Sequence, residues 1–173
     1  LATKGVIIPD AVSNDIGCGI AFSQTSIPAK VLKTETSSGT LGQMLSGSIM
    51  RDVPTGFQHR DPEKNKKDYE LLDIIDNYFE DMSFIDKVGL NDIINQTYEI
   101  VGTLGGGNHF IEFQENGDGK IGIMIHTGSR SVGAYVHKHF NNLAKELNEK
   151  WYSYLIEDIK LPFLPLDSEE GQQ

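Results

Sequence analysis

Apolar positions along the 173 residues change period from one stretch to the next, and those changes predict the elements. Residues 1–22 hold short apolar runs, such as Val6, Ile7 and Ile8, broken by Gly and Pro, a pattern of strands and tight loops rather than helix. Residues 37–48, SSGTLGQMLSGS, are small and polar and predict a loop. Residues 53–60, with Pro54, Gly56 and His59, predict another. Beyond Pro62, Leu71, Leu72, Ile75, Tyr78, Phe79 and Met82 recur at helical spacing and predict a helix with one buried stripe. A shorter helix is expected within residues 85–101, around Leu90, Ile93, Ile94 and Tyr98. Residues 109–126 predict a β-hairpin: HFIEFQE, the turn-rich NGDG, then KIGIMIH. Val132, Val136, Phe140, Leu143, Leu147 and Trp151 step by three or four and predict a second long helix with a core-facing stripe, in a region ended by Pro162 and Pro165. Strands, helices and hairpin do not alternate as βαβα. The expected class is α+β, a mixed β-sheet core with flanking helices.

Composition narrows the class. A chain of this length fits one domain, and its apolar share is that of an ordinary globular protein. Fifteen basic against 25 acidic residues give a net charge of −10, which excludes a uniformly positive nucleic-acid surface, so any polyanion must be met locally. The single cysteine, Cys18, cannot form an internal disulfide and reads as buried filler or as chemistry in a cytoplasmic protein. No apolar run reaches the length of a membrane span. The chain starts on Leu1 rather than Met and stops at Gln173 without a cap. It therefore reads as part of a single catalytic domain, residues 1–173, truncated at both ends.

Three stretches carry candidate chemistry. In Asn14-Asp15-Ile16-Gly17-Cys18-Gly19, a carboxylate and a thiol stand three residues apart with Gly on either side of Cys18, which is metal-ligand spacing; the alternative is a turn aspartate beside a free cysteine. In residues 102–109, GTLGGGNH, consecutive glycines leave backbone N–H groups open to a phosphate; the alternative is a flexible loop. In residues 126–130, HTGSR, two hydroxyls and a guanidinium precede a helix; the alternative is a capped helix start with a surface arginine. A turn symmetric about Gly117 and Asp118 places Phe113 opposite Gly122, Ile111 opposite Met124 and His109 opposite His126, a spacing at which two imidazoles can share a metal. Thiolate and imidazole favour zinc, while the carboxylate and an open site leave room for manganese or iron. His137 and His139 read as partly exposed helix residues, His59 is open to either reading, and residues 61–67 form a solvated charge run.

IIPDAVSNDIGCGIAF, VGTLGGGNHFIEF and HTGSRSVG resemble, in order and spacing, the RtcB family of RNA-splicing ligases, and LPFLPLDSEEGQ is similar to that family as well. The resemblance implies an RNA ligase that joins 3′-phosphate or 2′,3′-cyclic phosphate ends to 5′-hydroxyl ends through a guanylylated histidine, using GTP and two Mn2+ ions. Asp15, Cys18 and His109 would hold one ion and Cys18 and His126 the other, with Cys18 bridging. Asn108, His109, Phe110, Ile111 and Glu112 match the segment that contacts the guanine nucleotide, and Arg130 stands where an RNA or phosphate contact is expected. Asn14 and Ser131 depart from the family pattern, which points to a divergent subfamily. The nucleophilic histidine is expected beyond Gln173, so the 173 residues alone are not expected to ligate RNA. Two alternatives remain: a metal-dependent phosphoesterase or nucleotide-binding relative without ligation, and a structural module in which a closed metal site holds the fold.

Overall fold

A computed structural model describes residues 2–63, 91–153 and 161–172. The helix expected from Leu71 to Met82 lies outside the described residues, as does most of the charge run at 61–67. The described elements are small antiparallel sheets and helices, an α+β chain. They fall into two compact bodies, one made of Leu1–Gly17, Lys66–Thr97 and Ser129–Gln173, the other of Cys18–Asn65 and Tyr98–Gly128.

The second body is built on a three-stranded antiparallel sheet. Strands β2 (Gly19–Pro28), β5 (Phe110–Glu115) and β6 (Lys120–Thr127) lie in the order β2-β6-β5. Alternation along β6 separates Ile121, Ile123 and Ile125 from Gly122, Met124 and His126 on opposite faces. Ile123 and Ile125 face Phe113 and Ile111 across the ladder, an apolar face of one chemistry. Gly122 sits mid-strand because a Cβ there would run into the ring of Phe22 on β2.

The hairpin forms, but its register is one residue from the expectation. His126 faces Phe110 rather than His109, Ile125 faces Ile111 and Ile123 faces Phe113. The turn is the cause. Gly119 N–H donates to Asn116 O at 3.0 Å, Gly119 takes φ +70°, and Asn116 pairs with Lys120. That is a type I turn closed by a bulged glycine, which adds a residue to the second arm. Asn116 Oδ1 holds it by accepting from the N–H groups of Asp118 and Lys120 at 3.0 and 2.9 Å.

The loop expected at residues 37–48 is also corrected. Strands β3 (Glu35–Thr36) and β4 (Gly39–Thr40) make a small hairpin, and helix α2 runs Leu41–Asp52. Thr40 Oγ1 accepts the N–H of Gln43 while Gln43 Oε1 accepts the N–H of Thr40, a capping box that starts the helix despite its Ser and Gly content. Residues 53–60 are loop and turn as expected. Helix α3 spans Asn91–Ile100, within the range read from sequence.

In the first body, β1 (Val6–Ile7) pairs with β7 (Leu164–Pro165), the one-turn helix α1 covers Pro9–Val12, and helix α4 runs Arg130–Lys150. Among the described residues Ala144, Leu147 and Leu164 form a buried cluster, with Phe140 and Leu143 packed against it. Burying each leucine contributes about 1.5–3 kcal/mol. The stripe read from sequence stops short of Trp151, which is exposed. Tyr152, at φ +53°, ends the helix: its N–H donates to Glu149 O and that of Ser153 to Asn148 O, a Schellman stop well before Pro162. Asn148, unremarked in the sequence, is fully buried and clamps Phe163 in both directions, Nδ2 donating to Phe163 O at 2.8 Å and Oδ1 accepting Phe163 N–H at 3.0 Å.

Candidate metal centre

Cys18 immediately precedes β2, and pairing of Ile20 with His126 brings the start of β2 to the end of β6. Cys18 Sγ lies 2.8 Å from His126 Nε2. The thiol is exposed, which removes the buried-filler reading. His126 is flanked on β5 by Phe110, whose ring meets the imidazole edge-on at 5.4 Å between centroids. The register shift does not separate the two histidines. His109, one residue before β5, has its ring centroid 5.8 Å from that of His126.

The glycine-rich loop that delivers His109 is not a free linker. Gly105 forms a parallel bridge with Thr55, Gly56 N–H donates to Gly105 O, and Leu104 N–H donates to Pro54 O, each bond at 2.9 Å. Gly105 takes φ +98°, a backbone state closed to side chains with a Cβ. His109 Nδ1 lies 3.0 Å from Leu104 O. A carbonyl only accepts, so Nδ1 carries the proton and donates it. Asn108 Nδ2 reaches toward Cys18 Sγ at 3.9 Å. Gly106, Gly107 and Asn108 are exposed, so this loop opens to solvent instead of closing over the thiol.

Strand alternation divides the proposed nucleotide segment. Phe110 and Glu112 share the face that carries His126, whereas Ile111 shares the opposite face with Ile125. Ile111, Glu112 and Phe113 also line a cleft of about 490 Å³ together with Leu32, Gly42, Ser46, Ile49 and Met50.

In the first body, Asp15 Oδ1 accepts from Ser129 Oγ at 3.4 Å, and chain connectivity keeps Asp15 three residues from Cys18. Ser129 makes no side-chain cap to α4, and Arg130 takes φ +57°, so the plain capped helix start is not what forms. His137 is half-buried and its Nε2 lies 2.9 Å from Asp10 Oδ1, while His139 packs edge-on against Phe140; both are partly exposed residues of α4, as read from sequence. His59, in the second body, pairs with Glu99 at 2.9 Å. Cys18 and His109, both in the second body, offer a sulfur and an imidazole nitrogen, donors that suit a divalent transition metal. Nothing in the local sequence pattern marks Leu104, whose carbonyl also accepts from the hydroxyl of Thr127, one of the two hydroxyls of HTGSR, at 3.0 Å.

Among the described residues no helix is long and apolar enough to cross a membrane. The family model described as tRNA-splicing ligase RtcB matches residues 1–173. The RNA-splicing ligase RtcB of Escherichia coli (strain K12) is 32% identical over 156 residues, covering 86% of this chain and 36% of that protein. The tRNA-splicing ligases RtcB of Nanoarchaeum equitans and Thermococcus kodakarensis are 29% and 26% identical, over 96% and 99% of this chain. The chain spans about two fifths of the length of these curated relatives, 36–41%.

Proposed function

Because the chain belongs to the tRNA-splicing ligase RtcB family, we propose that it carries the metal-binding part of an RNA ligase that seals 3′-phosphate or 2′,3′-cyclic phosphate ends to 5′-hydroxyl ends with GTP and Mn2+. The observation that carries this reading is the 2.8 Å approach of Cys18 Sγ to His126 Nε2, with the His109 imidazole beside it. Asp15, Cys18, His109 and His126 are the residues that would hold two ions, with Cys18 shared. The donor set fits: a thiolate, two imidazoles and a carboxylate satisfy a borderline divalent ion, and an exposed thiol beside an open glycine loop leaves room for phosphate. Paired divalent ions supply neutralisation of the charge that develops on phosphate oxygens during nucleotidyl transfer. The chain's own residues orient and exclude. Leu104 O accepts from His109 Nδ1 and orients that ring, Phe110 fixes the edge of the His126 ring, and Asn108 and Glu112 present amide and carboxylate groups for the guanine nucleotide.

The third reading, a closed structural metal site, is less well supported because Cys18 and residues 106–108 are exposed. Titration with Co2+, followed through the thiolate-to-metal charge-transfer absorption, tests the centre: saturable binding that is absent in Cys18→Ala is expected. Absence of binding by the unsubstituted protein would sink the proposal. Ligation is tested on a polypeptide that joins these residues to the rest of the family's length, with RNA carrying a 3′-phosphate and a 5′-hydroxyl; a product that needs both GTP and Mn2+ is expected. The proposal assigns the nucleophilic histidine to the rest of the family's length, so covalent GMP on the 173 residues alone would overturn that assignment.

A further inference from the structure

Gly133 lies near the start of α4 and is buried, although glycine inside a helix is less favourable than alanine. A Cβ at that position would run into the side chain of Ser129, one turn earlier, and would press on the backbone carbonyl of Asn14 at 3.1 Å. Asn14 belongs to the turn that carries Asp15. Its neighbour Ser13 holds φ +78° and ψ 164°, a state that a residue with a Cβ keeps only when its surroundings enforce it.

Those surroundings lie along one face of α4. Four residues beyond Gly133, His137 Nε2 lies 2.9 Å from Asp10 Oδ1, so α1 and the turn after it follow the helix with Asp10 at His137 and Asn14 at Gly133. Ser129 makes no side-chain cap to its own helix, and its hydroxyl donates to Asp15 Oδ1 at 3.4 Å instead. All of these residues belong to the first body.

We propose that Gly133 is a positioning residue for Asp15: its missing side chain leaves the room that the Ser129 hydroxyl and the Asn14 carbonyl occupy, and so seats residues 13–15 on the head of α4. The dependence is steric. Any Cβ at position 133 claims the volume of the Ser129 hydroxyl, which can yield only by turning away from Asp15, and the Asn14 carbonyl can yield only by lifting the turn. The inference deepens the metal-centre reading and rests on it for the effect on metal affinity, but not for the seating of the turn.

Gly133→Ala reads both. Helix propensity alone raises the melting temperature of such a variant, whereas loss of the seat lowers it, so the sign of the change separates an idle glycine from a required one. A lowered melting temperature and displaced amide resonances at residues 13–15 are expected. Adding Ser129→Gly vacates the space beside the new methyl group and is expected to recover part of the melting temperature; this double variant also serves if Gly133→Ala alone does not fold. Co2+ affinity is expected to fall about 10–100-fold in Gly133→Ala, the usual cost of disturbing the support of a metal ligand. In an Asp15→Ala background, where Cys18 still reports binding, Gly133→Ala is expected to cost little more. A raised melting temperature with unmoved resonances at residues 13–15 would overturn the proposal, as would an unchanged Co2+ affinity or equal losses with and without Asp15. If no form binds Co2+, the metal-centre reading fails, and the melting temperature and resonances still decide the role of Gly133.

Discussion

Cys18 and His126 are 108 residues apart in sequence, and their side chains approach to 2.8 Å, Sγ to Nε2. Antiparallel pairing of β2 with β6, with Ile20 opposite His126, makes that approach. Cys18 lies two residues before Ile20 and so belongs to the same face as His126.

Two ligands of one centre should not act independently. Cys18→Ala and His126→Ala are each expected to weaken Co2+ binding by at least about 100-fold, beyond the usual cost of an outer-shell partner. The double variant should lose little more than either single one. Competition titrations against a chromophoric chelator measure this, and additive losses would show that the residues do not share an ion.

Asn148 holds the segment after α4 through two hydrogen bonds to the Phe163 peptide group. Asn148→Leu fills the space but leaves both Phe163 groups without that partner. The expected loss is about 2–4 kcal/mol, from two bonds and the desolvation of their orphaned partners. Chemical denaturation followed by tryptophan fluorescence, with Trp151 as the reporter, checks it.

Thr40→Ala removes the side-chain half of the capping box on α2. A loss of about 1 kcal/mol is expected, with Thr40→Ser close to the parent. Hydrogen exchange at the N–H of Gln43 gives the site-specific readout: it should quicken in Thr40→Ala and not in Thr40→Ser.

Tyr152 ends α4 in the left-handed region although its side chain is 95% exposed. Glycine adopts that conformation without the Cβ penalty of about 1–2 kcal/mol and loses part of the gain to its freer unfolded chain. Tyr152→Gly is therefore expected to stabilise the protein by about 0.5–1 kcal/mol, read as a raised melting temperature.

Local periodicity made several elements legible before any coordinates. The alternation of Ile121, Ile123 and Ile125 with Gly122, Met124 and His126 marks β6, and the three- and four-residue steps from Val132 to Leu147 mark α4. The helix α2 was hidden because its composition, rich in Ser and Gly, outweighed Thr40 and Gln43, whose spacing is itself the signature of a helix start. The motif DIGCG and the histidines of GGGNHF and HTGSR were readable as candidate ligands, since donor types and spacing are properties of sequence.

Tertiary structure decided the rest, because each remaining feature depends on groups far apart in the chain or on one backbone angle. The hairpin register turns on Gly119 at φ +70° and on the Asn116 side chain, neither of which periodicity reports. Burial of Asn148 depends on where Phe163 returns. Sequence alone identified His109, His126 and Cys18 as metal-ligand types; only the pairing of β2, β6 and β5, with the loop anchored to Pro54 and Thr55, sets their side chains beside one another.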